Sequence, residues 1–117
     1  MIMDPWQRLS DFSSLHREDI PSTPHDLISD EFIHGIDGYA LFEQRYPSQS
    51  YMQFFKKTRE SFEATDEIGV SDRVDLAILL FLSGRAHRHG DIGQPYWTNF
   101  TTALANKFLD SLPSKKH

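Results

Sequence analysis

The stretch 71–90, SDRVDLAILLFLSGRAHRHG, contains the longest apolar run of the chain, residues 76–82. Ser71 and Asp72 precede the run as N-capping residues, and Gly90 follows it as a C-terminal cap. A helix that is apolar almost all round must be enclosed by other helices. A buried strand is the alternative for so short a run, but no alternating partner strand is visible elsewhere in the chain. The stretch therefore predicts a central helix over about residues 72–89.

Prolines and capping residues divide the rest of the chain into further helices and loops. The predicted elements are a short helix from Asp4 and Pro5, a linker over 20–24, helices ending near Tyr46 and Gly69, and a last helix between Pro95 and Pro113. Gly35 and Gly38 weaken the helix before Tyr46 by about 1 kcal/mol each, which predicts a break or close packing there.

These elements predict an all-α fold, a single-domain bundle of four to five helices around the central one. The whole chain, 1–117, forms this domain. Residues 1–22 are its N-terminal short helix and linker, and residues 114–117 are a solvated tail.

Length, charge and composition limit the functions that such a domain can have. The chain has 117 residues, enough for one core, and its 12 basic and 17 acidic residues leave a net charge of −5. An acidic surface disfavours nucleic acid, which is bound by neutralising phosphates, and anionic membranes. There is no cysteine and no visible signal peptide, and the apolar run is shorter than the roughly 20 residues of a membrane span. We therefore expect a cytoplasmic protein without a cofactor, whose partner is another protein.

The central helix defines the predicted core. Five of its apolar residues should be buried: Leu76, Ile78, Leu79, Leu80 and Leu82. Neighbouring helices carry apolar stripes at helical spacing that should pack on either side of it. These stripes include Phe54, Phe55 and Phe62 before the central helix, and Trp97, Phe100 and Leu104 after it.

Two histidines and an aspartate follow the apolar run: His87, His89 and Asp91. On a helix, residues two apart point about 200° away from each other, whereas zinc-binding helices place their histidines at i and i+4. If the segment is unwound, His-x-His with Asp91 can chelate a metal ion, and this predicts a metal-dependent hydrolase as the alternative function. The favoured interpretation is a helix end, where cationic side chains at 85–89 interact with the last carbonyls and Gly90 forms the cap.

Two surfaces are candidates for binding a partner. Four carboxylates at helical spacings form an acidic cluster: Glu60, Glu63, Asp66 and Glu67. A solvated helix face is the simpler interpretation of this cluster, since Lys56 can pair along the same helix, but a basic partner would dock there. The second candidate is a rim formed by Tyr96 with Arg85 and Arg88, because aromatic and arginine residues supply most binding hot spots. Four further aromatics lack a clear place in the helical stripes: Trp6, Phe12, Tyr39 and Tyr46.

Residues 59–97, RESFEATDEIGVSDRVDLAILLFLSGRAHRHGDIGQPYW, combine an aromatic helix, Gly-Val, an acidic-apolar helix, a glycine and Pro-x-Trp in that order. The segment resembles the helical segment of small accessory proteins encoded beside bacterial type VI secretion spikes and their toxins, including some effector adaptors. The matching positions are Phe62, Gly69, Val70, Asp75, Leu76, Gly90, Pro95 and Trp97. Ile92 stands where an aromatic usually precedes the proline, and the N-terminal half lies outside the resemblance.

The resemblance implies a non-enzymatic accessory role, either as an adaptor or chaperone that loads a toxin or as an immunity protein that blocks one. The residues agree with this role, because the sequence contains no nucleophile elbow and no glycine-rich phosphate loop. The expected function is therefore a protein-binding module acting on a bacterial toxin or secretion component. A phage-encoded or regulatory inhibitor is a further alternative that the sequence does not separate from it.

Overall fold

The computed structural model describes residues 15–23, 26–27, 37–88 and 94–114. Its elements are a 3-10 helix, Arg17–Asp19, and four α-helices: α1 (Gly38–Arg45), α2 (Tyr51–Thr65), α3 (Arg73–Arg88) and α4 (Gln94–Asp110). The described residues contain no strand and share one hydrophobic core, which confirms the predicted all-α bundle. The short helix predicted from Asp4 lies outside the described residues.

α3 is the buried centre of the bundle, as its apolar composition predicts. Asp72 caps its N-terminus, since Oδ1 accepts hydrogen bonds from the backbone nitrogens of Val74 (2.9 Å) and Asp75 (3.1 Å). Every residue from 75 to 84 is buried, and the helix packs against α1 and α4. All five predicted core residues lie in the core: Leu76, Ile78, Leu79, Leu80 and Leu82.

α2 is amphipathic and packs on its neighbours through aromatic rings. Of its predicted apolar stripe, Phe62 is buried and Phe54 and Phe55 are half-buried. The Phe54 ring lies 5.3 Å from the Phe42 ring of α1, and the Phe55 ring lies 5.6 Å from the Phe100 ring of α4. Through these rings α2 contacts α1 and α4 directly. The sequence had predicted that the α2 rings pack against the central helix, and it did not predict these two contacts.

The segment around the 3-10 helix packs beside the C-terminal end of α4. The backbone nitrogen of Arg17 donates a hydrogen bond to the carbonyl of Pro113 (2.9 Å), and its guanidinium lies 3.3 Å from Asp110 Oδ1. Leu15 and Ile20 are buried in the common core, although the sequence assigned Ile20 to a linker. The segment therefore adds to the single core. Of the predicted tail, residues 115–117 lie outside the described residues.

Candidate functional site

The structure describes the histidine segment at the end of α3 only in part. α3 ends at Arg88, and both His89 and Asp91 lie outside the described residues, as does the side chain of His87. The metal site proposed for these three residues therefore stays a prediction. So does the contribution of Arg88 and Tyr96 to the predicted rim, because their side chains also lie outside the described part. Among the described residues, no three His, Asp or Glu side chains are grouped so that they could hold a metal ion.

All four carboxylates of the acidic cluster are exposed: Glu60, Glu63, Asp66 and Glu67. Lys56 Nζ lies 4.0 Å from Glu60 Oε1, the i,i+4 pair that the spacing predicts. α2 ends at Thr65, and Asp66 follows it in the left-handed region with φ 62°, so the helix ends before Gly69, the residue predicted to end it. The cluster thus surrounds the solvated end of a helix, and its part in binding stays a prediction.

A close helix contact at Gly38 shapes a second surface. α1 begins at Gly38, directly after Asp37, whose φ is 49° and whose carboxylate accepts a hydrogen bond from the Ala40 nitrogen at 3.4 Å. A Cβ on Gly38 would lie 2.5 Å from Cδ1 of Phe81. The ring from α3 can therefore approach the α1 backbone only because residue 38 lacks a side chain. The sequence predicted a break or close packing at this glycine, and the structure shows a helix start and close packing.

Phe81 supports an array of aromatic and cationic side chains. The ring of Tyr39 stands edge-on to Phe81 (5.2 Å between centroids) and to Tyr51 (4.8 Å). Arg85, one turn after Phe81, places its guanidinium carbon 5.8 Å from the Tyr39 centroid and 5.6 Å from the Phe81 centroid, within cation–π range. Tyr51 is 38% exposed and Met52 beside it is 63% exposed. We call Tyr39, Tyr51, Met52 and Arg85 the aromatic–arginine surface.

A cavity of about 390 Å³ opens beside the aromatic–arginine surface. It is lined by Tyr39, Phe42, Glu43, Pro47, Gln49 and Tyr51. Its volume lies at the lower end of the range of about 300–1,000 Å³ that is typical of ligand pockets. Three of the six lining residues are aromatic and Glu43 is the charged one, so the cavity can take an apolar side chain beside polar groups.

A larger groove, of about 700 Å³, lies along α2 and is closed on one side by Gly69 and Val70. Lys56, Lys57 and Glu60 line it together with uncharged polar residues. Lys56 pairs with Glu60, and Lys57 adds a further positive charge to the lining. Phe54 is the aromatic residue of the groove lining, whereas three aromatic residues line the smaller cavity.

A polar cluster joins the C-terminal end of α1 to the first turn of α3. Tyr46 Oη donates a hydrogen bond to Asp75 Oδ2 (2.7 Å), and Arg45 Nε lies 3.2 Å from Asp75 Oδ1. Arg45 also reaches Asp72, with 3.4 Å between Nη2 and Oδ1. Asp75 is only 7% exposed, so burial raises the pKa of its carboxyl, and the Tyr46 hydrogen bond and the Arg45 charge offset part of that rise. We call Arg45, Tyr46, Asp72 and Asp75 the Asp75 cluster, and it ties α1 to α3.

Sequence reasoning identified Arg85 but not the side chains around it. It left Tyr39 and Tyr46 without a place in the helical stripes, and the structure shows Tyr51 as a partly exposed ring beside Tyr39. The available signal was Gly38 beside Tyr39, because a glycine inside a helical pattern marks close backbone packing. That signal does not say which residue packs there, so Phe81 and Arg85 were not connected with it.

Comparisons with known proteins do not assign this geometry to a family. No protein-family model, no curated protein and no solved structure matches the chain. Of the helices that the structure describes, none is both long enough and apolar enough to cross a membrane.

Proposed function

We propose that this protein is a non-enzymatic protein-binding module whose partner docks on the aromatic–arginine surface. The observation that supports the proposal is the stack of Arg85 on Tyr39 and Phe81, beside the exposed side chains of Tyr51 and Met52. Tyrosine, methionine and arginine are enriched at protein–protein interfaces, and tyrosine and arginine are also enriched among the residues that dominate binding energy.

The packing beneath this surface favours binding because it orders the side chains in advance. Tyr39 stands edge-on to both Phe81 and Tyr51, and these two rings come from different helices. Arg85 lies over two rings, so its guanidinium loses less conformational entropy when a partner binds. The adjoining cavity offers a place for one apolar side chain of the partner.

The biological part of the proposal rests on the resemblance over residues 59–97. On that basis the partner is a bacterial toxin or secretion component, and the chain acts in the cytoplasm as an adaptor or as an immunity protein. The two roles need the same binding surface and differ in whether the bound toxin stays active. Binding by Arg88 and Tyr96, the remaining residues of the predicted rim, stays a prediction.

The test is to coexpress the chain with the product of each adjacent open reading frame and to measure the affinity of the complex by calorimetry. We expect a stoichiometric complex. The double substitution Tyr51→Ala and Met52→Ala should weaken it at least about tenfold, because truncating a hot spot of about 2 kcal/mol changes Kd by more than that factor. The charge reversals Glu63→Lys and Asp66→Lys are the matched variants in the acidic cluster, and they should leave the affinity nearly unchanged.

Two results would overturn this proposal. One is that no partner binds the chain, and the other is a complex that only the Glu63 and Asp66 reversals weaken. Metal analysis of the purified, tag-free protein separates the proposal from the hydrolase alternative. We expect substoichiometric metal for every ion tested, whereas one bound ion per chain that is lost in His87→Ala would favour the site at His87, His89 and Asp91.

A further inference from the structure

The guanidinium of Arg85 differs from those of Arg17, Arg45 and Arg73 in the groups that face it. Arg17 and Arg45 lie 3.3 Å and 3.2 Å from aspartate oxygens, and Arg73 donates a hydrogen bond to a backbone carbonyl. Within the described part of the chain, no Asp or Glu oxygen lies within 4.0 Å of Arg85. Arg85 is exposed and stacked on two rings, so its position is determined by packing and not by an ion pair.

We propose that Arg85 binds a carboxylate of the partner, within a peptide segment that places an apolar side chain in the cavity beside Tyr39 and Tyr51. The inference rests on the proposed function, since it names the chemistry of the partner at the same surface. A guanidinium donates two parallel hydrogen bonds to a carboxylate through its edge. The contacts of Arg85 with Tyr39 and Phe81 are cation–π contacts and use none of its N–H groups as hydrogen-bond donors, so these groups can donate to the partner.

Charge favours a single carboxylate over a polyanion at this site. The chain has a net charge of −5, and Glu43 lies in the lining of the adjoining cavity. Nucleic acid would bring several phosphates and needs several cations to neutralise them. Lys56 and Lys57 of α2 line the separate, larger groove, and Lys56 pairs with Glu60. One arginine beside an aromatic cavity therefore fits one acidic side chain next to one apolar side chain.

The experiment is selection of peptides from a random phage-displayed library on the intact chain, followed by affinity measurement with the enriched synthetic peptide. We expect enriched peptides to carry Asp or Glu close to an aromatic or large aliphatic residue. Arg85→Gln should weaken binding of that peptide at least about tenfold, the effect expected at a binding hot spot. Lys57→Gln removes the same charge from α2 and should leave Kd unchanged.

A double-mutant cycle ties the effect to the carboxylate itself. Replacing the acidic residue of the peptide by its amide should weaken binding to the wild type about as much as Arg85→Gln does. The two changes together should cost no more than either alone, because each removes the same interaction. Arg85→Lys keeps the charge but loses the planar fork, so it should bind more weakly than the wild type and more tightly than Arg85→Gln.

The outcomes separate this inference from the proposed function. Enriched peptides without an acidic residue, or additive losses in the cycle, would overturn the inference, and the proposed function would stand if Tyr51→Ala still weakens binding. A fluorescent oligothymidylate that displaces the peptide would overturn the inference in favour of nucleic acid. If no peptide is enriched and no partner complex depends on Tyr51 and Met52, both are wrong.

Discussion

α2 and α3 have 15 and 16 residues, but they place those residues in different surroundings. In α3 every residue from 75 to 84 is buried, whereas α2 buries Thr58 and Phe62 and leaves most other positions exposed or half-buried. α3 is enclosed by its neighbours, and α2 rests on them through one face. The same secondary structure thus forms the core in one helix and an outer surface in the other.

The difference shows where stability and binding are located in this molecule. A side chain in α3 has neighbours on all sides, so its loss leaves a cavity that the surrounding core fills only in part. On the exposed face of α2, a substitution changes stability by less than about 0.5 kcal/mol unless it alters a cap, an ion pair or a charge near a helix end. α2 depends more on local features, such as the Ser50 cap, whose Oγ accepts a hydrogen bond from the Gln53 nitrogen at 3.4 Å. Met52 can therefore serve binding without supporting the fold, whereas Tyr51 also contacts the Tyr39 ring.

The two helices should differ most in how much the free energy of unfolding falls when a side chain is truncated, because the α3 side chain is buried and the α2 side chain is exposed. Leu79 of α3 is fully buried, whereas Met52 of α2 is among the most exposed apolar residues described. Leu79→Ala should lower the free energy of unfolding by about 2–5 kcal/mol. Met52→Ala should change it by less than about 0.5 kcal/mol. Denaturant unfolding followed by circular dichroism measures both, and equal losses would contradict the comparison.

A second difference should be seen between two glycines. A Cβ at Gly38 would meet the Phe81 ring, whereas at Gly69 it would meet only Ser61 Oγ at 3.7 Å, an ordinary contact. Gly38→Ala should therefore lower the free energy of unfolding by about 1–3 kcal/mol through overpacking between α1 and α3. Gly69→Ala, at the end of the α2 region, is the control and should be nearly neutral. If Gly38→Ala leaves the free energy of unfolding unchanged, the packing of Phe81 against α1 does not depend on this glycine.

A pH-dependent effect is expected at the buried start of α3. Burial raises the folded-state pKa of Asp75 above its value in the unfolded chain. The stability that the protonated Asp75 carboxyl contributes is fully present below its pKa in the unfolded chain. It is lost as the pH rises through its pKa in the folded chain. Over the acidic range above the ordinary carboxyl pKa of 3.8, the stability of the wild type should therefore fall with rising pH relative to that of Asp75→Asn.

Unfolding curves over a pH series measure this difference between the wild type and Asp75→Asn. Tyr46→Phe is the matched variant, because it removes a hydrogen bond that lowers the pKa of Asp75. In Tyr46→Phe the fall in stability should move to higher pH. If the wild type and Asp75→Asn have parallel pH dependence, Asp75 does not titrate as its burial requires.

The smallest expected effect concerns the charges along α2. Its last turn contains no basic residue, and the exposed Glu63 lies near the negative end of the helix dipole. Glu63→Gln should raise the free energy of unfolding by about 0.3–1 kcal/mol, and Gln53→Lys, in the first turn, should lower it by a similar amount. Both effects should shrink at high salt, since exposed charges are screened. A gain in Glu63→Gln that persists at high salt would exclude the dipole as its cause.

Local sequence patterns predicted the helices with good accuracy where capping and periodicity agree. The central helix was predicted over about 72–89, and α3 spans Arg73–Arg88 with Asp72 as its cap. The end of α2 was predicted less well, because a glycine was taken as its end where Asp66 adopts the left-handed conformation first. Asp tolerates this conformation better than most residues, so the preference for glycine is a tendency and not a rule.

By itself, the sequence determined the fold class, the buried helix and the helix caps, since these depend on periodicity and on residues only a few positions apart. Only the tertiary structure decided which side chains meet at the surface. It buries Ile20 of the predicted linker, closes the Asp75 cluster between α1 and α3, and sets Tyr39 and Phe81 beneath Arg85. These contacts join segments far apart in the chain. They depend on how closely two helices approach, and at Gly38 that approach depends on the absence of one Cβ atom.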